Sequence, residues 1–357
     1  MLKRAEIFSP LFEERFVMET KLKGFLTKYD TVIFDMDGVI TSEQAYWDAA
    51  ALTVYQQMNA KALFDDEVDV NYYMENLKKI RKEVFLDDKL IQLLKDKGVN
   101  SNWDLAYVTF SIATILETKD FSKVLDYVLN MSNDIFKEYE NISKKLKEKL
   151  KITDASRTSK LWNDLMMRFQ EWVLGDELFF RVYGYEVSQK GKVGILVGEK
   201  PVVDREGIKK ILKALKNQGK RLCTATGRIW EELETPLKNF EIFEYFANDG
   251  FINFNHVTNV QNKFEVQVTK PHPYMFQKAL LGEEYPDNDI LRENFDKNLI
   301  KTALVVGDAG ADILAAKKMG ADFCAVLTGV KGKAARGYFE KFNAEYILDS
   351  ILEFEGK

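Results

Sequence analysis

TVIFDMDGVITS, residues 31–42, is the stretch whose reading decides the fold. The apolar run Val32, Ile33, Phe34 carries the chain to Asp35, and Asp37 and Gly38 follow. A short β-branched run closed by polar residues and glycine predicts a buried strand that ends in a loop. In open α/β sheets that end of a strand is where ligands bind. Two carboxylates spaced i and i+2 just past a strand can converge on one cation or one phosphoryl group. Taken alone, the same DxDG reads equally well as a strand followed by an Asx turn. The rest of the chain decides between the two.

With 357 residues the chain is long enough for two domains, or for one core with a large insertion. Hydrophobic residues make up 46% and charged residues 30%, as in a soluble globular protein. A net charge of −5 argues against a nucleic-acid partner, which would call for a basic patch or stripe. The basic run at residues 143–151 (SKKLKEKLK) reads as one solvated helix face. No window approaches about 18 consecutive apolar residues, so no membrane span is expected. The opening MLKRAEIFSPLFEERF is charged throughout and is not expected to be a signal peptide. Residues 1–28 read instead as an N-terminal helical extension. Cys223 and Cys324 fall in predicted strands, which implies buried, reduced thiols and a cytoplasmic setting. Two histidines, His256 and His272, are too few for a histidine-based metal site.

From Glu43 the apolar spacing becomes helical: Trp47, Leu52, Val54 and Tyr55, then Leu77, Ile80, Val84 and Phe85, then Leu90, Ile91 and Leu94. Similar stripes run to Leu174, and proline is absent between Glu43 and Trp172, which predicts a helical block of roughly 130 to 155 residues. Glycines return at 175, 184, 191, 194 and 198 and mark a return linker. After Pro201 strands and helices alternate. Asp204 is placed to cap a helix with the apolar face Ile208, Ile211, Leu212 and Leu215, and Gly219 to end it. Residues 220–226 (KRLCTAT), 243–247, 302–306 and 322–327 read as strands, and 229–240 and 311–319 as helices. Residues 251–268 alternate well enough for an extra hairpin, and 283–296 read as an acidic loop. Such alternation implies a mostly parallel sheet with right-handed crossovers.

The polar outliers fall at strand ends. Asp35 and Asp37 end one strand, Thr226 the next, Lys270 in KPHP follows a third, and Asp308 ends a fourth, with Asp312 one helical turn on. In a parallel sheet these ends share one edge. Three carboxylates brought there would repel one another unless a metal and an anion joined them. FDMDGVI, TGR (Thr226, Gly227, Arg228), KPHP and GDAGAD, in this order, resemble the four signature motifs of the haloacid dehalogenase superfamily. The helical block between the first and second resembles that superfamily's C1 cap.

The resemblance implies an α/β fold: a Rossmann-like parallel-sheet core from residues 29–42 and 200–357, with an inserted, mostly helical cap at 43–199. It implies a Mg²⁺-dependent phosphatase acting on a small phosphorylated metabolite, with neither nucleic acid nor membrane as partner. Asp35 would be the nucleophile that forms an aspartyl-phosphate. Asp37 would protonate the leaving alcohol and then activate water. Asp35, the backbone carbonyl of Asp37 and Asp308 would hold Mg²⁺, with Asp312 orienting Asp308 or a metal-bound water. Thr226, Gly227 and Lys270 would bind the phosphate. Without the resemblance, Thr226 is an ordinary helix cap and Lys270 a surface lysine. Arg228 is expected either to touch phosphate or to face solvent. Residues 38–42 and 198–203 are expected as hinges, and Glu43, Tyr46 and Trp47 as candidate substrate contacts. DGVITSE also resembles the opening of β-phosphoglucomutase, a phosphomutase, but that subfamily has a histidine where this chain has Trp47. A non-catalytic partner-binding protein on the same fold is the third reading, and the intact motif residues weigh against it.

Overall fold

β1 (Thr31–Phe34) is buried along its whole length and has a parallel neighbour on each side. In the computed structural model, which describes residues 20–65, 67–99 and 101–356, it is joined by β2 (Arg221–Ala225), β3 (Phe251–Ile252), β4 (Ala303–Gly307), β5 (Asp322–Val326) and β6 (Tyr346–Leu348). The sheet order is β3-β2-β1-β4-β5-β6 and every pairing is parallel. Burial on both faces explains why these strands are mostly apolar. Side chains still alternate: Val32 and Phe34 enter a core with Leu212 and Leu237, while Ile33 enters a second with Phe276 and Ile313. The chain steps outward from β1 to β2 and β3, then returns to β1's other side as β4. That reversal opens a crevice at the carboxyl ends of β1 and β4.

After β1 the chain leaves the sheet. It forms α1 (Gln44–Asn59), α2 (Val70–Glu75), α3 (Leu77–Phe85), α4 (Lys89–Asp96), α5 (Asn102–Ile115), α6 (Phe121–Leu129), α7 (Ile135–Leu150) and α8 (Lys160–Tyr183). Side-chain caps start most of them: Asp69, Ser101, Asp120, Asp134 and Ser159 each accept a backbone N–H of the first turn. The helices close around their own apolar core, which includes Val54, Phe85, Leu105, Phe169 and Trp172. The segments leading out and back lie antiparallel. Val202 N–H donates to the Ile40 carbonyl at 2.9 Å, Ser42 N–H to that of Lys200 at 3.3 Å, and Thr41 bridges Pro201.

Back in the sheet, α9 (Arg205–Asn217) is capped by Asp204 and followed by Gly219 at φ +74°, as the sequence predicts. α10 (Trp230–Asn239), α11 (Phe254–Phe264), α12 (Tyr274–Leu281), α13 (Asp287–Leu291), α14 (Gly310–Met319) and α15 (Arg336–Lys341) complete the layers on the two faces.

Three expectations need correction. Residues 243–247 are no strand: Phe243–Tyr245 is a turn of 3₁₀ helix, and Phe243 stacks on Phe251 at 4.6 Å, so its ring covers the sheet edge that β3 occupies. Residues 251–268 are not a hairpin. The Asn253 side chain accepts from Asn255 N–H while the Asn253 N–H donates to His256, and this reciprocal cap starts α11 two residues after β3 ends. The acidic stretch 283–296 holds a short helix, α13, whose Asp287 receives the Tyr274 hydroxyl and pairs with Lys278. Residues 346–348 add an edge strand, β6. The proposed N-terminal helical extension falls mostly on residues 1–19, outside the described residues; within 20–28 there is one 3₁₀ turn, Gly24–Lys28.

Cys223 and Cys324 are free and buried, and burial pushes the Cys223 thiol up to about 12. Among the described residues no helix is long and apolar enough to cross a membrane.

Candidate active site

Strand register brings the predicted residues together. Phe34 pairs with Thr224 on one side and Val306 on the other. Asp35 therefore stands beside Ala225 and Gly307, one residue short of Thr226 and Asp308. Its own N–H still belongs to the sheet, donating to the Val306 carbonyl at 2.9 Å.

Lys270 reaches this point from the loop before α12. Its Nζ lies 2.8 Å from Asp35 Oδ1 and 2.8 Å from Asp312 Oδ1. Burial alone would lower the lysine's pKa, but Asp312 and Asp35 outweigh it and hold the ammonium charged. Asp35, Asp308 and Asp312 can place one carboxylate oxygen each within 4.8 Å of one another. One ammonium does not balance three carboxylates. Burial pushes the Asp35 carboxyl up to about 7; Lys270 works against that, and Asp312 and Asp37 add to it. Burial, then Asp312 and Asp35, drive Asp308 well above the usual carboxylate range. A hard divalent cation bound by oxygen ligands would supply the missing charge, so the residues present fit Mg²⁺.

The Asp308 carboxylate is held in a slot of backbone. Gly38 sits at φ +72°, and a Cβ there would come 2.3 Å from Asp308 Oδ2. A Cβ on Gly329, in the loop after β5, would come 1.8 Å from the same oxygen. Only hydrogen fits at either place. The Thr328 hydroxyl closes the slot by donating to the Gly38 carbonyl.

Thr226 is fully buried, and its hydroxyl accepts the Arg228 N–H at 3.3 Å. Gly227 lies between them. Arg228 corrects its expectation outright. It neither faces solvent nor has a donor to spare for phosphate: it is 2% exposed and carboxylates occupy two of its edges. Nε and Nη2 donate to Asp37 at 3.2 and 2.6 Å. Nη1 and Nη2 donate to Glu199 at 2.8 and 2.6 Å. The Glu232 carbonyl takes the fifth N–H, from Nη1, at 2.9 Å, and the Thr41 hydroxyl shares the Nη2 donors at 2.9 Å. Burial would lower the guanidinium's pKa, and Asp37 and Glu199 more than offset that, keeping it charged.

The Asp37 side chain thus turns away from the Asp35–Asp308–Asp312 cluster. Its proposed place in the metal site is through the backbone carbonyl alone. Of the substrate-contact candidates, Tyr46 lies with its ring 4.9 Å from the Arg228 guanidinium and its hydroxyl donating to Glu232 at 2.8 Å. Glu43 pairs with Lys95 at 3.2 Å, and Trp47 is buried beneath Arg81. The sequence reading missed Glu199, Glu232, Thr41 and Gly329. Glu199 left one signal, the one acid in the mostly apolar linker ILVGEKPVV.

The fold and its site define a Rossmann-like α/β protein with a helical insertion and a carboxylate cluster at the sheet's carboxyl edge. The haloacid dehalogenase-like hydrolase family matches residues 29–320, and the chain belongs to that family. It is similar to pyrophosphatase PpaX of Halalkalibacterium halodurans, 31% identical over 157 residues, covering 43% of this chain and 59% of that protein. PpaX of Bacillus cereus (strain B4264) is 28% identical over 153 residues, 43% of this chain and 58% of that protein. The matches span less than two thirds of these relatives. An X-ray structure from the Northeast Structural Genomics Consortium superposes with a TM-score of 0.75 at 27% identity, covering 91% of this chain and 97% of that one.

Proposed function

We propose that the protein is a Mg²⁺-dependent phosphatase that hydrolyses a small phosphomonoester. The observation that carries this reading is Lys270, which bridges Asp35 and Asp312 at 2.8 Å beside Asp308. It leaves one nucleophilic carboxylate, one cation and an unmet negative charge at a single point. An Asp35 oxygen attacks phosphorus, and the ester's alcohol leaves with the proton that Asp37 supplies. Water, giving a proton to Asp37, then cleaves the aspartyl-phosphate to inorganic phosphate and restores Asp35. Thr226 has its O–H to donate to a phosphate oxygen, Gly227 its N–H, and Lys270 its ammonium. Asp35, Asp308 and the Asp37 carbonyl would hold Mg²⁺, with Asp312 alongside. When bound, the ion offsets repulsion between the nucleophile and the phosphate.

In this reading residues 43–199 act as a cap that closes on the site, turning about 38–42 and 198–203, and excludes water. Reduced, buried cysteines suit a cytoplasmic enzyme. The named relatives make pyrophosphate the second candidate. Against it stands the saturation of Arg228 by carboxylates, which leaves Lys270 as the described side-chain cation in contact with Asp35. A second phosphoryl group adds negative charge to a site already acidic.

The test is phosphate release from sugar phosphates, phosphoglycolate, nucleotides, pyrophosphate and an aryl phosphate, with and without Mg²⁺, by wild type and Asp35→Asn. Release that needs Mg²⁺ and vanishes in the variant supports the reading. Release that survives Asp35→Asn refutes the nucleophile. No release from any monoester, with transfer between sugar phosphates, favours a mutase instead.

A further inference from the structure

We infer that Arg228 is a positioning residue: it holds the Asp37 carboxylate and, through Glu199 and Thr41, ties it to both connections between sheet and helical insertion. The inference rests on the proposed acid–base role of Asp37.

A guanidinium carries five N–H donors in a planar fork, and withdrawing it from water is favourable only when all are paired. Every donor of Arg228 has an acceptor. Two edges of the fork are each spanned by a carboxylate, Asp37 on one and Glu199 on the other. Asp37 belongs to the loop after β1. Thr41 lies on the outgoing connection and also donates to Asp37 Oδ1 at 3.3 Å. Glu199 lies on the returning one, beside the Lys200–Ser42 hydrogen bond. Tyr46, on the first helix of the insertion, lays its ring against the guanidinium. Its hydroxyl and the Gln170 side chain of α8 both donate to Glu232, at 2.8 and 3.0 Å, and Glu232 gives its backbone carbonyl to Arg228.

Several contacts between the insertion and the sheet therefore converge on one cation. A rotation about the two connections moves Glu199, Thr41 and Tyr46 relative to the loop that carries Arg228. Any such movement changes how the guanidinium is shared between Glu199 and Asp37. The orientation of the Asp37 carboxyl and the position of the insertion are thus set together, which lets proton transfer follow closure. A lysine cannot replace the fork, because a point charge does not span two carboxylates and two neutral acceptors at once.

The experiment compares Asp37→Asn, Arg228→Lys and Glu199→Gln on two substrates in saturating Mg²⁺. An alkyl phosphate has a poor leaving group that needs the acid; p-nitrophenyl phosphate has a good one that does not. Arg228→Lys is expected to lower kcat on the alkyl ester by about 10²-fold, with KM nearly unchanged and a loss at least tenfold smaller on the aryl ester. Glu199→Gln is expected to shift the same ratio in the same direction by a smaller factor. Amide exchange at Ser42 and Val202, whose N–H groups bridge the connections, is expected to quicken in both variants.

If Asp37→Asn shows the leaving-group dependence while folded Arg228→Lys and Glu199→Gln lose both substrates equally, or lose neither, the inference is wrong and the phosphatase reading stands. If Asp37→Asn keeps wild-type rates on the alkyl ester, the acid–base reading fails and takes the inference with it. Should Arg228→Lys not fold, the near-isosteric Glu199→Gln decides alone.

Discussion

Gly329→Ala probes the site with one added methyl group. A Cβ at that position would stand 1.8 Å from Asp308 Oδ2, 2.6 Å from its Cγ and 2.9 Å from its Cβ. Such contacts do not close much below about 3.0 Å, so the carboxylate must shift by roughly 1.2 Å. Rotation gives little relief, because Gly38 also crowds the carboxylate, and a Cβ there would lie 2.4 Å from Asp308 Cγ. Gly329 has no positive φ, so its backbone accepts alanine without strain, and the effect reports on the carboxylate. Overpacking of this kind costs about 1–3 kcal/mol of stability. A displacement near 1 Å at a reacting group lowers rate by about 10²-fold. The assay is initial rate against Mg²⁺ concentration, paired with a thermal melt. The expected result is a rise in half-saturating Mg²⁺ of about tenfold or more, kcat down about 10²-fold and a melting midpoint lower by about 1–4 °C. Gly337→Ala is the control, since nothing lies within 4 Å of a Cβ there. A folded Gly329→Ala protein with wild-type Mg²⁺ dependence and kcat would refute the claim that this slot positions Asp308 for metal.

Lys270→Met should leave Asp35 and Asp312 without their shared cation, costing about 3–5 kcal/mol in the apo protein. Part of that loss should return on adding Mg²⁺, read as a larger Mg²⁺-induced rise in melting temperature than wild type shows. Thr226→Val keeps shape and burial but removes the hydroxyl, and kcat should fall about 10²-fold with the melting midpoint little changed. Asp322, away from the site, supplies a pH test. Burial tends to raise its pKa, but hydrogen bonds from Lys28 and Tyr29 and the charge of Lys28 prevail and lower it. A depressed folded value adds stability that is complete above the unfolded value, near 3.8, and is lost as pH falls through the folded one. The stability gap between wild type and Asp322→Asn, measured by urea melts, should therefore be full at neutral pH and shrink toward zero in strong acid.

Strand ends were legible because their signals are local. Apolar runs at β1, β2, β4 and β5 each close on a polar residue, and parallel pairing then brings those residues to one edge whatever the loops do. Asp35, Thr226, Asp308 and Asp312 needed nothing more, and Lys270 needed only a loop long enough to reach them. The helical insertion was equally plain, because a proline-free run with apolar residues three and four apart has no other stable form. The errors fell where two local signals competed. Residues 251–268 alternate like a strand, yet Asn253 and His256 form a helix cap, and the spacing of Val257 and Val260 suits the helix that follows.

By itself, the sequence determined the α/β class, the strands that carry chemistry and the identity of the carboxylates and lysine at their ends. Each of those follows from residues adjacent in the chain. Only the tertiary structure decided the fate of Arg228, whose partners Asp37 and Glu199 lie 191 and 29 residues away. A lone arginine after a strand carries no mark of whether solvent, phosphate or a pair of distant carboxylates will take its donors. The slot around Asp308 was likewise decided in three dimensions. Gly38 and Gly329 belong to loops 290 residues apart, as the hydrogen bond from Thr328 to Gly38 records. Their common neighbour exists only once β4 and β5 pair beside β1, because close approach is a property of packed backbones and not of composition.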